Sequence, residues 1–315
     1  MSPARGRRRG RKVLRVWLIG AAIVMAGWAS PGFAEQRVVS LAPALSRMIV
    51  DLGAADRLVG VSEYDTATEG LPVVGSMAAI DRERLIAVRP TLVLHMGLMA
   101  ASGQRLPALA RRSGFALHGF RYPNRVGEVW DLLAVDPTET DGAEAGITVG
   151  SLLSLEAEAR ALRASLEARL EEVRALVADR ERPAALLVIG VEPVAASGPG
   201  TVLDEMLALA GGRNALGEAG GTYQTLDHEL LRAVSPEVVF LLLPGAPVFT
   251  EDDRRLVPWA RAETAAWRDE RVYLIRDPEV LLPSTGLVDV VEEMAGLLHP
   301  GVFEDEGGSA GVDDE

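Results

Sequence analysis

Apolar residues along this chain follow two rhythms. Short β-branched runs at 37–41, 58–61, 73–74, 91–94 and 115–120 alternate with helical spacing at 46–52, 82–88 and 104–112. Strands that alternate with helices pair in parallel and pack as α/β layers. The texture changes near Val126. A polar, acidic segment at 134–146, with Pro137 and two glycines, reads as a surface loop. Leu155, Leu162, Leu166, Leu170, Val173 and Val177 then recur at intervals of three, four and seven. That spacing predicts one apolar stripe on a long helix ending before Pro183. Behind it the alternation restarts. Strands are expected at 184–189, 238–243 and 272–275, a loop and helix at 198–210, and a last amphipathic helix at 287–298 stopped by Pro300-Gly301. The long helix either packs as an ordinary core helix or spans two lobes, and the fresh α/β pattern after it favours the second.

One stretch occurs twice. Glu83-Arg-Leu-Ile-Ala-Val88-Arg-Pro90-Thr-Leu-Val93 is matched by Glu229-Leu-Leu-Arg-Ala-Val234-Ser-Pro236-Glu-Val-Val239. In each copy a carboxylate stands seven residues before a proline and an apolar run follows it. A short helix that stops before the proline, then a buried strand, accounts for the pattern. One copy in each half predicts two similar lobes, each with an acidic group on its surface. The fold class expected is α/β: two α/β lobes with mostly parallel sheets, joined by one long backbone helix, with a ligand cleft between them.

The first residues change the picture. Seven cations (Arg5, Arg7, Arg8, Arg9, Arg11, Lys12, Arg15) and no acid precede an apolar run at 16–29 and the small-residue stretch Ser30-Pro-Gly-Phe-Ala34. This reads as a signal peptide cleaved after Ala34. The run is short for a membrane anchor, which needs roughly 20 apolar residues. Arg8-Arg9 leaves both the general secretory and the twin-arginine route open. Removing those seven charges takes the formal charge from −13 to −20, a poor match for nucleic acid or anionic lipid. Cysteine is absent from the sequence. Disulfides, thiolate metal sites, thiol catalysis and an N-terminal lipidated cysteine are therefore not expected. The organisation predicted is a signal peptide at 1–34, an N-terminal lobe at 36–150, a connecting helix at 151–182, a C-terminal lobe at 183–301 and a disordered acidic tail at 302–315.

Several stretches together resemble the periplasmic substrate-binding proteins of ABC importers for cobalamin, haem and ferric siderophores. They are Val39-Ser-Leu-Ala-Pro-Ala-Leu-Ser46, Leu52-Gly-Ala-Ala-Asp-Arg-Leu-Val-Gly-Val61, the two repeated segments, Leu203-Asp-Glu-Met-Leu-Ala-Leu-Ala-Gly-Gly-Arg-Asn214 and Leu297-Leu-His-Pro300. The resemblance spans about 37–301 and implies capture of a metal chelate and its delivery to a permease with its ATPase. It implies that Glu83 and Glu229 meet arginines on that permease, where paired carboxylates would orient docking. It also implies cargo contacts at Tyr64, Met77, Met96 and Tyr223: Tyr64 matches a ligand-stacking tyrosine, and Met77 and Met96 stand where the cobalamin type has tryptophan. Methionine packs on a flat macrocycle through sulfur or fills a core.

The chain departs from the family in two places. Ser46-Arg47 replaces a common Thr-Glu, and Ser284-Thr285-Gly286 replaces a frequent Pro-Arg. His95, at the end of a buried strand, is a further candidate for the cargo, either as an axial ligand or as a hydrogen-bonded structural residue. His118 is similarly placed. Arg47, Arg121 and Arg276 could meet an anionic chelate or be surface charges. No resident cofactor, protein-held metal or catalytic residue is expected. A Gly-x-Ser-x-Gly elbow, a phosphate loop and a His-Glu-x-x-His helix are all missing. Asp227-His228-Glu229 cannot converge on one atom, because consecutive helical side chains diverge. The alternatives are a chelatase-like enzyme on a related two-lobed scaffold and an exported protein-binding sensor. The binding protein is expected to be a periplasmic monomer, not inserted in the membrane after cleavage.

Overall fold

The computed structural model describes residues 36–303 apart from 77–78, 98–104, 135–145, 219 and 251–252. The expected signal peptide, most of the acidic loop, most of the tail and Met77 lie outside the described residues.

The first sheet is wholly parallel. It contains β1 (Val38–Ser40), β2 (Leu58–Gly60), β3 (Leu92–Met96) and β4 (Ala116–Phe120), in the order β2-β1-β3-β4. Val38 stands beside both Leu58 and Leu92, and Leu94 beside His118. The run expected at 73–74 contributes only an isolated bridge from Val73 to Val61. Pro72 precedes it, and proline cannot donate to a ladder.

The second sheet contains β5 (Ala184–Val191), β6 (Val194–Ser197), β7 (Arg213–Asn214), β8 (Tyr223–Thr225), β9 (Val238–Leu242) and β10 (Val272–Ile275). Its order is β10-β9-β5-β6-β8, with β7 beside the start of β5. The β10-β9-β5 half is parallel, while β6 and β8 pair antiparallel. Sequence pattern did not resolve β6, β7 and β8, because strands of two to four residues hold too few positions to display a period.

Eleven α-helices lie among the described residues: α1 (Pro43–Asp51), α2 (Arg82–Ala87), α3 (Leu106–Ser113), α4 (Val126–Leu133), α5 (Val149–Leu153), α6 (Glu156–Val177), α7 (Val202–Leu209), α8 (His228–Val234), α9 (Val257–Ala262), α10 (Ala265–Arg268) and α11 (Leu287–Leu298). The repeated segment forms α2-β3 and α8-β9. Asp81 caps α2, its carboxylate accepting from Arg84 N–H at 3.0 Å, and Asp227 caps α8 through Leu230 N–H at 2.8 Å. Before each proline one residue turns left-handed, Arg89 at φ 46° and Ser235 at φ 38°. Proline's ring crowds a right-handed predecessor, so both helices stop there and the chain enters a buried strand. Glu83 and Glu229 sit exposed in the first turns of α2 and α8.

The long helix starts later than its pattern suggests. Ser154 at φ 55° ends α5, and α6 begins at Glu156. Its 22 residues span roughly 33 Å. The buried stripe is Ala159, Arg163, Leu166, Leu170, Val173 and Val177, with Leu155 and Leu162 only half-buried. Arg163 is the unexpected member. Its guanidinium donates to Asp131 at 3.0 Å, Glu167 at 2.8 Å and the Ala134 carbonyl at 2.7 Å, which satisfies a buried charge. Helix α6 packs on α4 and α5 on one side and on α7 and α11 on the other.

One apolar core therefore runs through both lobes. It joins Val38, Leu94, Met96 and Phe120 of the first sheet to Leu187, Phe240 and Leu242 of the second, through Val129, Leu133, Leu166 and Leu170. Each sheet keeps a smaller core on its other face, around Val93 and Phe115 in the first and around Leu186 and Trp259 in the second. A shared core resists separation of the sheets, because opening it would expose apolar surface at about 25 cal/mol per Å².

A polar seam fastens the same junction. Arg47 on α1 meets Asp51 at 2.9 Å, Glu279 at 3.5 Å and Asp289 of α11 at 3.9 Å. Ser284 donates to Glu279 at 2.9 Å, and Thr285 donates to Asp51. The two departures from the family pattern thus face each other. Arginine stands where the acid is common, and acids from the second lobe answer it. Glu279 is buried, and desolvation raises its carboxyl pKa against the opposing pull of Ser284 and Arg47.

Candidate ligand cleft

Between the lobes lies a cavity of about 420 Å³. The first lobe supplies Tyr122, Pro123 and Asn124, immediately beyond the carboxyl end of β4. The second supplies the turn into α7 (Gly200, Thr201, Val202, Leu203, Met206), the start of β8 (Thr222, Tyr223) and Val280 to Pro283. Carboxyl ends of parallel strands are where α/β folds open, since helices cover the two faces of the sheet. The apolar wall, with few polar groups, suits a ligand that buries a large face.

Two tyrosines stand at this cavity, Tyr122 at 49 % exposure and Tyr223 at 66 %. Burial first, and the neighbouring Tyr223 second, raise the Tyr122 hydroxyl pKa. Thr201 is committed to structure: it caps α7 by accepting from Asp204 N–H at 3.1 Å and contacts Ser197 Oγ at 2.8 Å. Gly200 takes φ 76° in the turn before it, a left-handed conformation that costs glycine nothing.

The other candidates land in different places. Tyr64 is 69 % exposed and does not line this cavity; its hydroxyl pKa is raised, first by a hydrogen bond with Glu63. Met96 is 1 % exposed and belongs to the shared core, beside Phe120. His95 alternates to the opposite face of β3. Its ring lies over Gly119, where an added Cβ would come within 2.1 Å of Cε1. There His95 lines a separate hollow of about 390 Å³ with Pro107, Leu117, Phe120 and Arg121. Its Nδ1 is buried with no hydrogen-bond partner among the described residues, and burial followed by His118 lowers its pKa. A neutral imidazole with its proton on Nε2 fits that surrounding. His118 stacks edge-on against Phe120 at 4.6 Å. Arg276 donates to the Ala246 carbonyl.

The structure therefore places Tyr223 at the cavity, puts Tyr64 and His95 outside its lining, and encloses Met96 in the core. Pattern reading missed Tyr122 and the 280–283 segment. Tyr122 carried a usable signal, since it follows the run expected at 115–120 and so falls at a strand's carboxyl end. Among the described residues no group of three or more His, Cys, Asp or Glu could hold a metal ion, and no helix is long and apolar enough to cross a membrane.

Comparison with known proteins identifies the fold's relatives. An uncharacterized ABC transporter substrate-binding lipoprotein of Bacillus subtilis is 25 % identical over 278 residues, covering 86 % of this chain and 82 % of its own. The vitamin B12-binding protein of Vibrio cholerae is 22 % identical over 269 residues, covering 84 % and 90 %. The solved apo structure of a periplasmic heme-binding protein from Roseiflexus superposes with a TM-score of 0.65 at 22 % identity, over 85 % of this chain and 99 % of that one. The sequence profile described as periplasmic binding protein matches residues 38–278, and the chain belongs to that family.

Proposed function

We propose that this chain is the periplasmic substrate-binding component of an ABC importer, capturing a metal chelate of the cobalamin, haem or ferric-siderophore class and delivering it to a membrane permease. The observation that carries this reading is a largely apolar cavity flanked by tyrosines, between the lobes of a periplasmic binding protein fold. Capture and handover involve no bond making in this chain. ATP hydrolysis belongs to the partner.

The cargo's flat face packs against Tyr122, Tyr223 and the apolar wall. Tyrosine supplies contact area and a polar tip that sets orientation. Tyr64 and Met77 are further cargo contacts by their match to family positions, and His95 by its place at the carboxyl end of β3. The shared core holds the lobes at nearly fixed separation, so binding proceeds by docking into a preformed cleft. The loaded protein then meets the permease through Glu83 and Glu229, exposed in matched first turns. Each helix that feeds a parallel strand runs back against it, which sets both N-termini toward the carboxyl edges where the cleft opens. The chain reaches the periplasm by its N-terminal signal, removed near Ala34, and acts there as a monomer.

Calorimetry on the purified mature protein with cyanocobalamin, haemin and a ferric siderophore tests the capture step. Replacing Tyr122 and Tyr223 together by alanine should weaken the bound cargo by about a hundredfold with an unchanged melting temperature. Glu83→Ala with Glu229→Ala should abolish cellular uptake at unaltered affinity. Failure of all three chelates to bind would refute capture, and normal uptake by the glutamate variant would refute the docking assignment.

A further inference from the structure

The cavity wall carries an unused piece of information, its charge. Of the fifteen described residues that line it, none is Asp, Glu, Lys, Arg or His. The raised pKa of Tyr122 keeps that phenol neutral. Three cations close in the fold are directed elsewhere. Arg121, next in sequence to Tyr122, lines the His95 hollow; Arg276 is held by the Ala246 carbonyl; Arg47 is held by Asp51 and Glu279. Besides Arg121, the charges adjoining the wall in sequence are the acids Asp204, Glu205 and Glu279 and one exposed cation, Arg125. Asp204 accepts from Gly200 N–H at 3.0 Å and Asn214 Nδ2 at 3.1 Å, and Glu205 accepts from Val126 N–H at 2.8 Å.

The free polar groups are neutral. Asn124, Thr222, Tyr122 and Tyr223 line the cavity, and none of their side chains makes a hydrogen bond within the protein among the described residues. An amide, a hydroxyl and two phenols both donate and accept, which matches a ligand rimmed by amides. An anion enclosed here would lose its hydration without gaining a cation and would sit near two carboxylates. Resting on the importer reading above, we infer that the enclosed face of the cargo is uncharged and rimmed by amide- or hydroxyl-type groups. That is the chemistry of a corrinoid ring, and not of a carboxylate-rimmed porphyrin or an anionic ferric catecholate.

The test is a titration of the wild-type protein with cyanocobalamin, haemin and a ferric tris-catecholate at low and high salt. Cyanocobalamin should bind about a hundredfold tighter than either anionic chelate. Its affinity should change less than about twofold between roughly 50 and 500 mM sodium chloride. Leu282→Arg, which exchanges part of the apolar wall for a cation, should strengthen the catecholate by about tenfold and weaken cyanocobalamin. Tighter binding of haemin or the catecholate, a steep salt dependence for cyanocobalamin, or an arginine variant with no gain for the catecholate would each overturn the inference and leave the importer reading standing. Binding of none of the three would remove both.

Discussion

The contact between Arg47 and Glu279 gives the sharpest test of how the lobes are fastened. Arg47→Met keeps the aliphatic stem and removes the charge. Glu279 is 5 % exposed and would be left with Ser284 alone. Breaking a buried pair costs about 3–5 kcal/mol. Arg47 is 31 % exposed at its side chain and its nitrogen stands 3.5 Å from the carboxylate, so water screens part of that, and about 1.5–3 kcal/mol is expected. For a chain of this size that lowers the melting temperature by roughly 4–10 °C.

The pH dependence has a definite sign. Desolvation holds the Glu279 carboxyl above its ordinary value in the folded state. The native protein therefore binds this proton more readily than the unfolded chain, and stability is lost as pH rises through the folded pKa. Removing Arg47 raises that pKa further. The deficit should thus be larger at about pH 7.5 than at about pH 5. Urea denaturation at both values checks it. Adding Glu279→Gln to Arg47→Met should recover most of the loss, because it removes the stranded charge. An equal deficit at the two pH values, or a double variant as unstable as the sum of the singles, would sink the argument.

Other outcomes follow from the placement of side chains. Met96→Ala should lower stability by about 2–5 kcal/mol and leave cargo affinity within about twofold, because the side chain is enclosed in the core; chemical denaturation and calorimetry together separate the two effects. Gly119→Ala should cost about 1–3 kcal/mol, since the new methyl meets the His95 ring. The same change in a His95→Ala background should cost less than half as much, measured as a double-mutant cycle.

Legibility in the sequence varied with the length of the pattern. The parallel runs of β3, β4, β5 and β9 repeat apolar residues over five to eight positions and were plain. So was the doubled helix-proline-strand segment, because a carboxylate cap and a proline stop act within a few residues. The start of α6 was misjudged because Ser154 adopts a left-handed conformation that composition does not announce. Arg163 was hidden for a related reason: an arginine in a stripe reads as polar until its three acceptors are in view. At the cleft, the family match pointed to Tyr223, which stands at the cavity, and to Met96, which is enclosed in the core.

Local forces act between near neighbours, so the chain's own order determined the α/β alternation, the two capped repeats, the long helix and the departures at Arg47 and Ser284-Thr285-Gly286. Only tertiary packing decided that those two departures face one another, that a single core threads both lobes, and that Tyr122 and Tyr223 share an uncharged cavity. These are contacts between residues tens to hundreds of positions apart. Their partners are chosen by which faces the folded layers bring together, and no periodicity along the chain encodes that choice.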